Sequence, residues 1–254
     1  MPIISNSKIE LVPAGLSLAS GRLDNAELKG TGGVNPAVGA TYETISAIGG
    51  VVAQLDSAGE QIKIQSTSGD DTNSGGAAGA RKLRVKGIDA TGAEVQEDLN
   101  MNGTNAVTST TSFKAINQMF VKQLGGANTT DANVGTITVT NNAGDATVAS
   151  IVAGENRMYQ AQWTKPNDKN VYITSFVYGC TKEAEISIWL KKNDTTAPNF
   201  QKMLAVVTNG GTNTYKLYNP FLLNEGGATI QFRAKKLGTD DAHVSVDFQL
   251  IQEN

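Results

Sequence analysis

The sequence predicts an all-β protein: two antiparallel β-sandwich domains, jelly-roll-like in build, preceded by an extended N-terminal arm. Three observations carry that expectation. Short stretches alternate apolar and polar residues at a period of two, Gly, Asn, Asp and Ser separate them, and no amphipathic helical stripe runs between them. The 27 glycines and an apolar fraction of 39% agree, because short strands joined by glycine turns leave little apolar surface for helical layers.

Residues 1–40 show no sustained period, and GTGGVNPAVGA (30–40) interrupts any regular element, so this segment reads as an arm or linker. From Tyr42 the strand-like runs begin: YETISAI, QIKIQS, RKLRVKG, AEVQEDLNM, FKAINQMFVKQ and VGTITVT fill a first sandwich over residues 41–147. Within FKAINQMF a short helix competes with a strand. In RKLRVKG, Leu83 and Val85 share one face and Lys82, Arg84 and Lys86 the other. A loop of Ala90, Thr91 and Gly92 then makes a hairpin, with Gly92 left-handed, and its register pairs Arg84 with Asp98 and Leu83 with Leu99.

The pattern lapses at NNAGDAT (141–147), which marks the boundary to a second sandwich over residues 148–254. That half holds RMYQAQW, NVYITSFVYG, AEISIWL, FQKMLAVV, NTYKLYN, ATIQFRAK and HVSVDFQLIQ. In the last run Val244, Val246, Phe248 and Leu250 face one way, and Ser245, Asp247 and Gln249 the other. In ATIQFRAK, Ile230 and Phe232 point inward and Arg233 outward.

Composition excludes several kinds of chemistry. A net charge of −3 gives no field to hold nucleic acid or an anionic membrane. One cysteine, Cys180, and one histidine, His243, exclude an intrachain disulfide and Cys- or His-based metal clusters. The start, MPIISNSKIELVPAG, reads as lacking a signal peptide, and no run reaches the roughly 18 apolar residues that span a bilayer.

The segment SGDDTNSGGAAGARK raises the question of a phosphate loop. Such a loop needs Gly, four residues, then Gly-Lys-Ser/Thr opening a helix, whereas Gly75 leads through Gly79 to Ala80, Arg81 and a strand. A calcium loop could start at Asp71-x-Asn73, but Lys82 stands where its last glutamate belongs and Gly75 takes a ligand position. The expectation is an Asp/Asn-rich turn. The basic row Lys82, Arg84 and Lys86 faces Glu94, Glu97 and Asp98 and reads as self-neutralised. His243 follows Asp241 by two residues, but no Gly-x-Ser-x-Gly elbow presents a nucleophile, so the reading is non-enzymatic, with no catalytic residue, cofactor or metal ligand assigned. TYKLYNPFLLNEGG (214–227) concentrates Tyr215, Tyr218, Phe221, Leu222 and Leu223. This is either a strand end plugging the second sandwich or a hydrophobic contact with another subunit.

One resemblance sharpens the picture. Asp71-Thr72, Gly79-Ala80-Arg81, Gly87-Ile88-Asp89-Ala90, Asn102-Gly103-Thr104, Ala106-Val107-Thr108 and Ser112-Phe113 follow in the order of a β module that resembles one in structural proteins of tailed double-stranded-DNA bacteriophages, especially marine ones. The second half, through MYQAQWTKPNDKNVYITSFVYG and ATIQFRAKKLGTDDAHVSVDFQLI, is similar to the usual partner domain, with Asn170 where that family has a turn glycine. The likeness spans roughly residues 40–254 and brings no catalytic residue. It implies a virion protein made in the host cytoplasm, with partners among other capsid or tail proteins and with itself as a symmetric homo-oligomer. A head-decorating or vertex protein is the leading reading. A tail or adsorption-apparatus protein binding a host-surface glycan is the alternative, with a depolymerase behind it.

Overall fold

The computed structural model describes residues 26–127, 129–192, 200–223 and 225–253. The first 25 residues of the expected arm lie outside them. Among the described residues there are sixteen strands and no helix. In chain order they are β1 (Ala26–Val38), β2 (Glu43–Thr44), β3 (Lys63–Ser66), β4 (Ala80–Ile88), β5 (Glu94–Asn100), β6 (Val107–Thr108), β7 (Ala115–Leu124) and β8 (Ile137–Thr140). There follow β9 (Thr147–Ile151), β10 (Gln162–Thr164), β11 (Asn170–Cys180), β12 (Ala184–Lys191), β13 (Phe200–Thr208), β14 (Gly211–Leu223), β15 (Thr229–Lys236) and β16 (Ala242–Glu253). The helix–strand competition in FKAINQMF resolves as strand β7.

The strands pair antiparallel into four sheets, of order β1-β16-β11-β14, β10-β15-β12-β13 with β2 on β15, β6-β3-β8-β9, and β5-β4-β7. The sheets are disposed like four blades, so the expected pair of sandwich domains is not read off the sheet count. Their apolar faces collect into two cores. One runs from Leu55 to Met158; the other takes Val38 and Ile45 and then residues from Ala161 to Leu250. In the second, Phe232 on β15 meets Phe248 on β16 with ring centres 4.7 Å apart and Phe176 on β11 at 5.2 Å, so aromatic rings span two sheets. Val244, Val246, Phe248 and Leu250 are buried while His243, Asp247 and Gln249 are exposed, which is the alternation expected of β16.

Three boundaries differ from the sequence reading. The lapse at 141–147 is the turn of the β8–β9 hairpin: Asn141 Oδ1 accepts the amides of Gly144 (3.0 Å), Asp145 (3.1 Å) and Ala146 (3.2 Å). The apolar residues therefore change from one core to the other between Met158 and Ala161, not at 147. Asn170 opens β11 opposite Glu253 and is not among the residues with positive φ, so it does not replace a left-handed glycine.

The third is the arm. Its residues Ala26–Val38 form β1, which covers the edge of β16 from Ala26↔Glu253 to Val38↔Ala242. Glycines that look like strand breakers serve close approach instead. A Cβ on Gly33 would lie 1.9 Å from the carbonyl oxygen of Ile45 and 2.4 Å from the amide nitrogen of Ala161, and one on Gly32 would lie 2.0 Å from Asp247 Oδ1. Pro36 sits in the register shift between Asn35 and Val38, where no ladder amide is required. The two cores are tied by Asn117 of β7, whose side chain donates to the Thr164 carbonyl and accepts the Thr164 amide, both at 2.8 Å.

Gly33→Ala forces backbone against backbone and lowers stability by about 2–3 kcal/mol, while Gly30→Ala, beside open space, changes it by about 0.5 kcal/mol or less. Equilibrium urea unfolding reads both, and equal effects contradict the close approach of β1.

Candidate functional site

The Gly-rich segment organises around Asp71, which is completely buried. Its Oδ1 accepts the amides of Ala80 (2.7 Å) and Val134 (3.0 Å); its Oδ2 accepts the Ser66 hydroxyl (2.6 Å) and the Gly135 amide (2.8 Å). A carboxylate has about four acceptor positions, and all are taken by the protein itself, which leaves none for a cation. Gly79 is required because a Cβ there would lie 2.1 Å from Asp71 Oδ1, and Gly76 turns the chain with φ of +81°. The Gly103 amide donates to the Asp71 carbonyl at 2.8 Å, and Thr72 bridges to Asn102. The segment leads into strand β4, not into a helix. The segment is a knot that joins β3, β4 and the chain before β8.

The hairpin that follows has the expected register: Arg84 opposes Asp98 and Leu83 opposes Leu99. The Asp89 amide donates to the Ala93 carbonyl at 3.0 Å, and Gly92 has φ of +83°. Asp89 Oδ1 accepts the Thr91 amide (2.8 Å), the Thr91 hydroxyl (2.7 Å) and the Ala93 amide (3.0 Å). Arg84 grips Asp98 through Nε (2.7 Å) and Nη2 (2.9 Å), and Lys122 of β7 reaches the same carboxylate. Hydrogen bonds from Arg84 and then Lys122 hold the Asp98 carboxyl well below the usual carboxylate range. The middle of the basic row is thus neutralised within the sheet.

His243 is exposed on the outer row of β16, and Asp241 pairs with Lys236 Nζ at 2.7 Å, so the two do not form a catalytic couple. Cys180 is buried, with its thiol 3.8 Å from Thr208 Oγ1. Among the described residues, no three His, Cys, Asp or Glu side chains are grouped to hold a metal ion.

The expected contact residues all fall on β14 but divide between surface and core. Leu223 is buried at 1% exposure, Tyr215 stacks on Phe176 with centres 5.1 Å apart and planes 19° apart, and Leu222 is exposed. The side chains of Tyr218 and Phe221 lie outside those described. Tyr215 and Leu223 are therefore spent inside the molecule, because alternation along β14 turns them toward the second core. Exposed apolar side chains also sit on β13, which among the described residues is an edge strand paired with β12 alone: Met203 is 49% and Val207 61% exposed. β14 is the edge of the other sheet of this core, so the two open edges follow one another in the chain.

On the outer face of β12, Glu185 gathers the Tyr42 hydroxyl (2.7 Å), Lys202 and Lys235 Nζ (3.3 Å). Both ammonium groups lie over the Tyr42 ring, 4.9 and 4.7 Å from its centre. Burial pushes the Glu185 carboxyl up, but hydrogen bonds from Lys202, Tyr42 and Lys235 together outweigh it and hold the group at about 2. Sequence reading missed this cluster, as it missed the Asp71 knot. Tyr42 and Lys202 are 160 residues apart, and no local period brings them together.

No protein-family model and no curated protein matches the chain. Among solved structures it is similar to the infectious bursal disease virus VP2 subviral particle, at 9% identity and a TM-score of 0.19, over 91% of this chain and 78% of that one.

Asp71→Ala strands three amides and a hydroxyl and destabilises by about 4 kcal/mol or more, at about 1 kcal/mol or more for each lost partner, whereas Gly75→Ala, with nothing within 4 Å of its Cβ, is close to neutral. Thermal unfolding of the two variants separates an architectural knot from a ligand loop. The Glu185 carboxyl adds stability that is complete above its unfolded value of 4.5 and is lost as the pH falls toward about 2. The melting temperature of Glu185→Gln should therefore fall less steeply between pH 5 and 2 than that of the parent, and parallel curves contradict the cluster.

Proposed function

We propose that the chain is a non-enzymatic structural protein of a tailed-bacteriophage virion, assembled as a symmetric oligomer with each core held between two sheets as a sandwich. The observation that carries this reading is the use made of the residues on which the resemblance stands. Asp71, Gly79, Ala80, Asp89 and Gly103 are all engaged in internal hydrogen bonds or close packing. A motif used up in this way builds a rigid part, and a rigid part works through many modest contacts repeated by symmetry. A head-decorating or vertex position is favoured over the tail, because the chain shows none of the repeats or heptads of a fibre.

The contact surface in this reading is the pair of open edges, with Met203 and Val207 on β13 and Leu222 on β14. Quantitative mass spectrometry of purified particles, with cryo-EM to place the chain, tests the function. Copies in the hundreds mean the head surface, copies in the low tens or fewer a vertex or the tail, and absence from particles overturns the proposal. Met203→Asp with Val207→Asp should shift the recombinant oligomer to smaller species in light scattering while leaving the circular dichroism spectrum intact. An unchanged mass rules these strands out as the contact.

A further inference from the structure

Arg233 points away from the core, as the alternation of β15 requires, yet it is only 9% exposed. Its guanidinium lies between two rings, with Cζ 4.8 Å from the centre of Trp189 and 4.5 Å from that of Phe200. Nε donates to Gln231 Oε1 at 2.6 Å, and Gln231 and Gln54 both donate to Gln162 Oε1, at 2.9 and 3.0 Å. Trp189 is itself fixed, by a 2.8 Å hydrogen bond from its Nε1 to Ser187 Oγ. Among the described residues no carboxylate pairs with Arg233, and Nη1 and Nη2 make no hydrogen bond. Stacking on aromatic rings offsets less than the cost of taking a lone cation out of water. The rings hold the guanidinium flat but supply no countercharge.

The group opens onto a cleft of about 550 Å³, walled by residues 51–57, Phe200 and Lys191. Lys191 is partly buried and, among the described residues, makes no ion pair. Lys114 lies near enough to lower its basicity further after burial has done so. Burial likewise pushes the Arg233 guanidinium down to about 10, so it keeps its charge at neutral pH. Among the described residues one carboxylate, that of Asp56, borders the cleft, and its Oδ1 accepts the Ala58 amide at 2.8 Å. A preformed planar donor whose two terminal NH2 groups make no hydrogen bond among the described residues, a second cation and a cleft of ligand size are what recognises an oxyanion.

We propose that this cleft binds an oxyanion carried on a small polar ligand, a carboxylate, sulfate or phosphate group, with Arg233 as the planar donor and Lys191 as the second positive charge. The site lies on the face of β12, β13 and β15 away from the second core and involves none of the residues that carry the structural module. It gives the protein a ligand-binding capacity beyond its part in assembly.

Isothermal titration calorimetry at constant ionic strength with inorganic phosphate, inorganic sulfate and glucuronate, and with glucose as the uncharged control, tests it. At least one anion should bind with saturable heat and glucose should not. Arg233→Met and Lys191→Met should each weaken that binding at least tenfold, and Arg233→Lys should restore part of it. Preference for glucuronate places the oxyanion on an acidic sugar, and preference for phosphate or sulfate on an ester. Should Arg233→Met fail to fold, Lys191→Met on the partly buried lysine and the anion titration of the parent still decide. No saturable binding by any of the three anions at 10-millimolar order, or binding that survives Lys191→Met unchanged, overturns the proposal.

Discussion

One buried carboxylate holds the Gly-rich quarter of the molecule in place. Asp71 collects donors from residues 66, 80, 134 and 135, at the end of β3, the start of β4 and the chain leading into β8. Take it away and three amides lose their acceptor, those of Ala80 and Gly135 in buried positions, where an unmet donor costs about 1–3 kcal/mol. With only 39% apolar residues, the chain relies on polar side chains as internal ties. Asn133 repeats the device close by, donating to the carbonyls of Gly135 (2.7 Å) and Val152 (3.0 Å) and accepting the Asn156 amide at 2.9 Å.

The same economy links the two cores. Asn117 clasps Thr164 as a strand neighbour would, and the tip of the β4–β5 hairpin docks through the Asn167 amide on the Gly92 carbonyl at 2.9 Å. Gln252 of β16 reaches Glu94 of β5 at 3.3 Å. Small polar ties of this kind hold the two halves in register, and among the described residues β13 and β14 are the end strands of their sheets.

Much of this was legible from the period of two. β16, β15 and the β4–β5 hairpin follow from alternation and one turn glycine, because those features are local and the hairpin loop sets its own register. β1 was not legible, since Gly32 and Gly33 suppress the alternation for the sake of neighbours more than 200 residues away in one case and near residue 161 in the other. The turn at 141–147 looked like a boundary because hairpin turns and linkers share their composition. Asp71 read as a loop aspartate because its donors lie up to 64 residues downstream. Arg233 read as a solvated residue because alternation gives a side chain's direction and says nothing of what covers it. The covering comes from Trp189 and Phe200 on other strands.

The central claim is that Asp71 and the glycines around it are a structural part of the fold. Amide hydrogen exchange of the native protein, read at Ala80, Val134 and Gly135, tests it most directly. If the Asp71 knot is part of the fold, these amides exchange only through global unfolding and are as protected as the core amides of β4, with or without phosphate or calcium present. Fast exchange that slows on addition of either ion would show a ligand loop waiting to be ordered, and would contradict the account.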